Sequence, residues 1–252
     1  MDLLISSATH RSGSTLVQRL FNARKKTLIW GENGGYLTDF CKIYKNALHY
    51  SNTFSEVRES YFKDGQNPNQ WLACMTPRPE VVKHAIIHSV KALDYLMYVE
   101  EHKNKFDMIG YKEVRYGKVE LEWFRECYPE CPVILLVRHP VSVWKSVSRR
   151  AKLERYGSIE AFCELWSKQV KEYVDLSETD PNMHLLLYED LVSKKPAPLK
   201  LIKTIGRLTD EEIEKVLAVK ISSSSKPIQT KISQRISKLC EEAMKKAGYD
   251  ED

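Results

Sequence analysis

Five short apolar runs, separated by segments with helical periodicity, set the pattern of this sequence. The fourth run, Pro132–Val137, is apolar throughout, as expected for a strand buried on both faces of a parallel sheet. Between the runs, apolar residues recur at intervals of three and four, as in amphipathic helices. The pattern predicts a three-layer α/β sandwich with a central parallel sheet of about four or five strands. The predicted strands are 3–5, 28–30, 108–111, 132–137 and 183–187.

Helical patterns fill the intervals, and no linker or internal repeat divides the chain. We therefore expect residues 1–252 to form a single domain. Residues 36–108 read as a helical insertion, and residues 228–252 as a C-terminal helix with an acidic tail. Other helices are predicted over 119–128, 158–176, 198–205, 209–219 and 233–247, and from Pro140 onward through Ser142, Ser146, Arg149 and Arg150.

Composition narrows the class of protein. The chain has 252 residues, of which 42% are hydrophobic and 29% charged, which is typical of a globular domain. The net charge of +5 favours an anionic ligand, but no block of Lys and Arg is long enough to indicate nucleic acid or a membrane as partner. The first residues do not resemble a signal peptide, and the six cysteines form no C-x-x-C pair. We expect a cytoplasmic protein with reduced thiols and no metal; its oligomeric state, a homodimer included, stays open.

The stretch LLISSATHRSGSTLVQRL, residues 3–20, places a small-residue loop between a strand and a helix. Such a junction presents backbone N–H groups and a helix N-terminus to an anion. Gly13 permits a close turn, and Arg11 adds a fixed positive charge. The loop predicts a phosphate site, with an ordinary turn as the alternative. Because the basic residue precedes the glycine and no lysine follows it, an ATP or GTP loop is disfavoured.

A second strand-to-helix junction, Arg138-His139-Pro140, follows the fourth apolar run and also carries positive charge and hydroxyls. Two such junctions in one α/β chain indicate a ligand with two separate anionic groups. The second strand leads into the glycine-rich segment 31–35, so Glu32 lies on a loop at a strand end, where α/β proteins place their chemistry. A solvated turn carboxylate is the alternative for Glu32.

The motifs RSGST, VILLVRHPVSVWKS and LLYEDL, in this order, resemble those of the sulfotransferases that use 3′-phosphoadenosine-5′-phosphosulfate (PAPS). The resemblance spans residues 3 to about 231 and implies the P-loop-like sulfotransferase fold, PAPS as donor, adenosine 3′,5′-bisphosphate (PAP) as product and no metal. It implies that Arg138 and Ser146 bind the 3′-phosphate. It assigns the 5′-phosphosulfate to Arg11, which is also the catalytic cation, and to Ser12, Gly13, Ser14, Thr15 and Leu16.

Many cytosolic members of that family carry Lys at the position of Arg11 and use a His base, whereas the tyrosylprotein branch carries Arg and a Glu base in a Gly-Glu step. Glu32 follows Gly31 and resembles that base. His10, Glu113 and His139 are the alternative bases. By the same resemblance, further cofactor contacts are Arg150, Tyr188 and either Lys226 or Lys231.

The sequence constrains the sulfuryl acceptor less than the donor. A soluble chain without a signal anchor suggests sulfuryl transfer to a hydroxyl of a small molecule, such as a metabolite or natural product, with 36–108 on the acceptor side. A protein tyrosine, a carbohydrate or an amine is the alternative acceptor. A nucleotide kinase, or a non-catalytic phosphonucleotide- or RNA-binding module, is a more distant alternative.

Overall fold

A computed structural model describes residues 1–70, 75–219 and 229–249, with only the backbone of Gln70. At its centre lies one parallel sheet of five strands in the order β2-β3-β1-β4-β5. All five predicted strands are confirmed, most of them one or two residues longer than the apolar runs. They are β1 (Leu3–Ser7), β2 (Thr27–Trp30), β3 (Met108–Glu113), β4 (Val133–Val137) and β5 (Met183–Leu187).

Helices connect and cover the strands, and the described residues of the segment 36–108 are mostly helical. A 3-10 turn over Pro68–Gln70 and a π turn over Tyr95–Val99 add to them. The helices are α1 (Ser14–Phe21), α2 (Tyr36–Thr53), α3 (Ser55–Lys63), α4 (Pro79–Asp94), α5 (Lys118–Cys127), α6 (Pro140–Ser146), α7 (Arg149–Arg155), α8 (Ile159–Thr179), α9 (Tyr188–Val192), α10 (Pro196–Gly206), α11 (Asp210–Leu217) and α12 (Thr230–Lys246).

Alternating side chains of the central strands build two cores, one on each face of the sheet. Leu3 and Ile5 of β1 pack with α1, α10 and α11, whereas Leu4 faces the core formed with α5, α8 and α12. Strand β4 divides its residues in the same way, and all five are buried. Two apolar faces on one strand require a helical layer on each side, so the three-layer α/β sandwich is confirmed.

One predicted helix is in fact two. The segment that begins at Pro140 ends at Ser146, Val147 is extended, and a new helix begins at Arg149. The reason is local: the Ser148 side chain accepts a hydrogen bond from the backbone N–H of Ala151, 3.2 Å away, and so caps a second helix N-terminus. The extended Val147 therefore separates α6 from α7, which do not form one continuous helix.

None of the helices in the described ranges combines the length and apolar character that a bilayer span requires.

Candidate active site

A pocket of about 470 Å³ opens at the carboxyl edge of the sheet, where open parallel sheets bind ligands. The residues that follow all five strands reach it, and α7 adds one side chain. Of the lining residues in the described part of the chain, Glu32 alone is acidic. The lining consists of His10, Arg11, Gly13, Ser14, Thr15, Leu16, Glu32, Val114, Arg138, Arg155 and Tyr188.

The loop between β1 and α1 is shaped for an anion. Gly13 is the N-cap of α1 with φ of 94°, and no side chain caps this helix end. The first N–H groups of a helix have no acceptor one helical turn before them, so those of Ser14 and Thr15 are left for a ligand. The N–H of Leu16 instead donates to the carbonyl of Gly13 at 2.9 Å. Arg11 also has a left-handed backbone, with φ of 71°, which is strained for a residue with a Cβ. This strain lies at the mouth of the pocket, where Arg11 is exposed.

Ser12 holds this loop from within rather than lining the pocket. Its side chain is fully buried, and its hydroxyl donates to the carbonyl of Thr9 at 2.8 Å. The hydroxyl of Ser12 is therefore committed to the loop, whereas Ser14 and Thr15 reach the pocket.

The two junctions predicted to bind phosphate meet at this pocket. The guanidinium of Arg138 stacks over the ring of Tyr188, 4.3 Å from its centroid, and its Nη1 donates to the carbonyl of Arg11 at 3.1 Å. Trp166 donates to the carbonyl of Arg138 at 3.0 Å. A Cβ at Gly13 would lie 2.2 Å from Cδ2 of Tyr188, so only glycine allows this packing.

Arg138 retains an unused donor. Its Nε is buried and has no hydrogen-bond partner among the described residues. A buried N–H group without a partner costs free energy unless a ligand accepts from it. Together with the uncapped end of α1, this donor fits a ligand with anionic groups, as the phosphates of a nucleotide are.

Glu32 lies on the other side of the pocket, held by two cations of the β3 end. Nζ of Lys112 is 2.7 Å from Oε1, and Nη1 of Arg115 is 3.3 Å from Oε2. Partial burial opposes ionisation of Glu32, but the hydrogen bond from Lys112 and the charges of Lys112, His10 and Arg115 outweigh it and lower the pKa of this carboxyl. Glu32 is thus an oriented carboxylate at neutral pH.

Glu113 supports the loop that carries Glu32. It is fully buried, and its Oε2 accepts from the backbone N–H groups of Asn33 and Gly35 at 3.1 and 3.0 Å. Its Oε1 accepts from Val114 N–H at 2.7 Å and from Nη1 of Arg115 at 2.5 Å. Four donors occupy this carboxylate, which lies outside the pocket lining, so its position suits a structural role.

His10 lines the same pocket as Glu32 and Arg155 of α7. Burial of the imidazole and the nearby charge of Arg155 lower the pKa of His10, while the charge of Glu32 acts in the opposite sense. His10 is consequently neutral at pH 7 and able to accept a proton. Of the alternative bases proposed from the sequence, His10 is the one that lines this pocket.

The remaining predicted contacts lie elsewhere. Ser146 ends α6 and donates to the carbonyl of Val143 at 2.8 Å, while exposed Arg150 pairs with Glu154 at 2.6 Å. His139 stacks edge-on against Tyr249 and lines a separate pocket beside α12. Lys231 is exposed at the start of α12. Lys226 lies outside the described residues.

Two residues of the site, Arg155 in the pocket lining and Lys112 as a partner of Glu32, were missed by the sequence reasoning. Arg155 lies 17 positions after Arg138 in a polar, charge-rich segment with no motif to distinguish it. It is the last residue of α7, the helix that follows the unforeseen break. Lys112 has no distinguishing motif either, but the structure pairs it with Glu32. Knowing that β2 and β3 are neighbours would have revealed this pair.

In the ranges that the structure describes, no group of three or more His, Cys, Asp or Glu side chains is arranged to hold a metal ion.

Fold and pocket together define an α/β protein with a pocket rich in basic and hydroxyl side chains at the carboxyl edge of a parallel sheet. Residues 7–206 match the sequence model of the sulfotransferase family, so the chain belongs to that family. Its fold is similar to the sulfotransferase domain from the olefin synthase of Synechococcus PCC 7002, with a TM-score of 0.56 and 16% identity over 99% of this chain and 95% of that one. No curated protein matches the sequence.

Proposed function

We propose that this protein transfers a sulfuryl group from PAPS to a hydroxyl of a small molecule. The observation that carries the proposal is the convergence of the Arg11 loop and Arg138 on one pocket, joined by the hydrogen bond between them. Two anion-binding loops on one site match a donor with a 5′-phosphosulfate and a separate 3′-phosphate. Membership of the sulfotransferase family supports the same reaction.

On the donor side, the uncapped N-terminus of α1, with the hydroxyls of Ser14 and Thr15, binds the 5′-phosphate. Arg138, stacked on Tyr188 and with its Nε available, binds the second phosphate. When bound, PAPS supplies an activated sulfuryl group, and its departure leaves PAP. Arg11 stabilises the negative charge that develops on the 5′-phosphate as the bridging S–O bond breaks.

On the acceptor side, Glu32 orients the hydroxyl and takes its proton as the new O–S bond forms. A carboxylate with a lowered pKa suffices if sulfuryl transfer, like phosphoryl transfer, has a loose transition state. In such a state the acceptor proton becomes acidic only late, so positioning matters more than base strength. Lys112 and Arg115 supply that positioning.

Titration calorimetry with PAP, and with ATP alongside, tests this function. We expect PAP to bind tightly without magnesium and ATP to bind at least about tenfold more weakly, because only PAP carries a 3′-phosphate for Arg138. Absence of PAP binding would overturn the proposal. Magnesium-dependent binding of ATP in preference to PAP would favour the kinase alternative instead.

Gly13→Ala should weaken PAP binding by about tenfold or more, because its Cβ would displace Tyr188 and with it the stacked Arg138. Gly65→Ala is the matched control, since Gly65 also has positive φ, 78°, but open space around its Cβ position. Calorimetry on both variants separates the clash from backbone strain. Equal PAP affinity in the two variants would contradict the role of the Gly13–Tyr188 packing.

Three expectations stay predictions: closure of Lys226 or Lys231 over the donor, the cytoplasmic location and the oligomeric state.

A panel of small hydroxylated acceptors, a tyrosine peptide, a sugar and an amine, each assayed with PAPS, would distinguish the acceptor classes.

A further inference from the structure

A second groove lies beside Arg115, a residue that contacts Glu32 of the active-site pocket. It has a volume of about 520 Å³ and lies between α2, α5 and α8. Arg115 lines this groove, and the same side chain contacts Glu32 at 3.3 Å in the active-site pocket. An acceptor whose hydroxyl reaches Glu32 would therefore extend past Arg115 into this groove.

Two aromatic side chains form part of its wall. The rings of Tyr44 on α2 and Trp123 on α5 meet edge to face, with centroids 4.5 Å apart. Both are only half-buried, so they retain apolar surface that a ligand can cover. This wall suits an aromatic ring.

The charges of the groove are mainly positive. Its lysines are Lys42, Lys45, Lys118 and Lys168. Lys42 pairs with Asp39 at 2.9 Å, and contacts of 3.8 and 4.0 Å join Lys118 to Glu122 and Lys168 to Glu172. Lys45 has no ion-pair partner among the described residues.

The two carboxylates that line the groove are engaged at the start of α5. Oε2 of Glu120 accepts from the backbone N–H of Gly117 at 3.0 Å, and Oε2 of Glu172 accepts from that of Lys118 at 3.1 Å. Five cations, the four lysines and Arg115, line the groove against these two carboxylates, so the lining carries net positive charge.

The groove also contains a side-chain oxygen that can accept a hydrogen bond from a ligand. Oε1 of Gln169 is buried and has no hydrogen-bond partner among the described residues. A bound molecule or a water that donates to it would satisfy this oxygen.

We propose that this groove, the acceptor groove, binds the non-reacting part of a sulfuryl acceptor that is an aromatic compound with a carboxylate or similar anionic group. The inference rests on the proposed function for the position of the reacting hydroxyl. The ring lies against Tyr44 and Trp123, and the anion lies among the lysines. Arg115 separates the reacting hydroxyl at Glu32 from the bound body of the molecule.

Three phenols of similar size test the charge preference: p-hydroxyphenylacetate, its methyl ester and tyramine. Calorimetry on the protein, with and without saturating PAP, measures their binding. We expect the anion, p-hydroxyphenylacetate, to bind about tenfold more tightly than its methyl ester, and tyramine to bind most weakly. The preference for the anion should shrink as the salt concentration rises. Equal binding of the anion and the ester would overturn the inference.

Variants then locate the binding. The triple variant Lys42→Gln, Lys45→Gln, Lys168→Gln should lower the affinity for the anion by about tenfold, because each exposed ion pair contributes up to about fivefold in affinity. The affinity for the ester should not change. Trp123→Phe should lower the affinity for the anion and for the ester by the same factor. Lys200→Gln, at an exposed lysine on α10, is the control and should change neither. An unchanged triple variant would show that the anion binds elsewhere.

Failure of this inference is distinguishable from failure of the proposed function. If PAP binds and turnover occurs with neutral acceptors only, the function stands and the acceptor groove is wrong. If PAP does not bind, the function fails, and binding of p-hydroxyphenylacetate to the protein alone still decides whether the groove takes aromatic anions.

Discussion

Replacing Arg11 with alanine should lower kcat by about a thousandfold, because a donor aimed at developing charge in a pocket contributes about two to three orders of magnitude. The affinity for PAP should fall much less, since the end of α1 and Arg138 keep their contacts with the two phosphates. The loss would thus appear mainly in turnover, which marks an interaction that strengthens in the transition state. Single-turnover kinetics with PAPS and calorimetry with PAP measure the two effects separately.

Two further variants make this result specific. Arg11→Lys keeps the charge and should retain part of the activity, since many cytosolic members of the family that the loop resembles carry Lys at this position. Arg235→Ala removes an exposed arginine that pairs with Glu160 outside the pocket lining, so it should change kcat little. If Arg11→Ala lowered PAP affinity as much as turnover, the protein would behave as a binding module rather than an enzyme.

Glu32→Gln should lower kcat by about two to four orders of magnitude, the range of a positioned general base. Glutamine can still accept the hydrogen bond from the buried Lys112, so the loop and PAP binding should persist. Glu126→Gln is the matched control, because it breaks a lysine ion pair of 2.8 Å on the surface, and neither Glu126 nor its partner Lys83 lines the pocket. A fully active Glu32→Gln would transfer the role to His10.

The pH dependence distinguishes these two bases. Glu32 acts when ionised, and its pKa lies below the ordinary 4.5, so activity should be lost only as the pH falls through that low value. His10 acts when neutral, and its pKa is lowered below 6.5. If His10 is the base, enzyme activity should therefore fall as the pH drops through that lowered pKa. An acid-side decline below pH 6.5 that persists in Glu32→Gln would therefore identify His10. An acid-side decline that disappears in Glu32→Gln would identify Glu32.

Local patterns were sufficient to predict much of this molecule. An uninterrupted apolar run such as Val133–Val137 has no stable place except inside a covered sheet, so all five strands were identified correctly. The loop around Gly13 and the junction at Arg138 were predicted as anion sites because their chemistry lies within a few consecutive residues. Helix ends were less predictable, as the unforeseen capping by Ser148 shows.

The contacts between these pieces needed the tertiary structure. The strand order places β3 beside β2, and so Lys112 reaches Glu32 across 80 positions of sequence. The same order buries Glu113 beneath the loop at Gly35, while the break before α7 carries Arg155 to the pocket. None of these pairings leaves a periodic signal, because each depends on which strands become neighbours and where a helix turns. The sequence by itself determined the α/β class and the resemblance to sulfotransferases, and it predicted two anion-binding loops. Only packing of the distant segments decided which charges hold Glu32 and which groove continues from it.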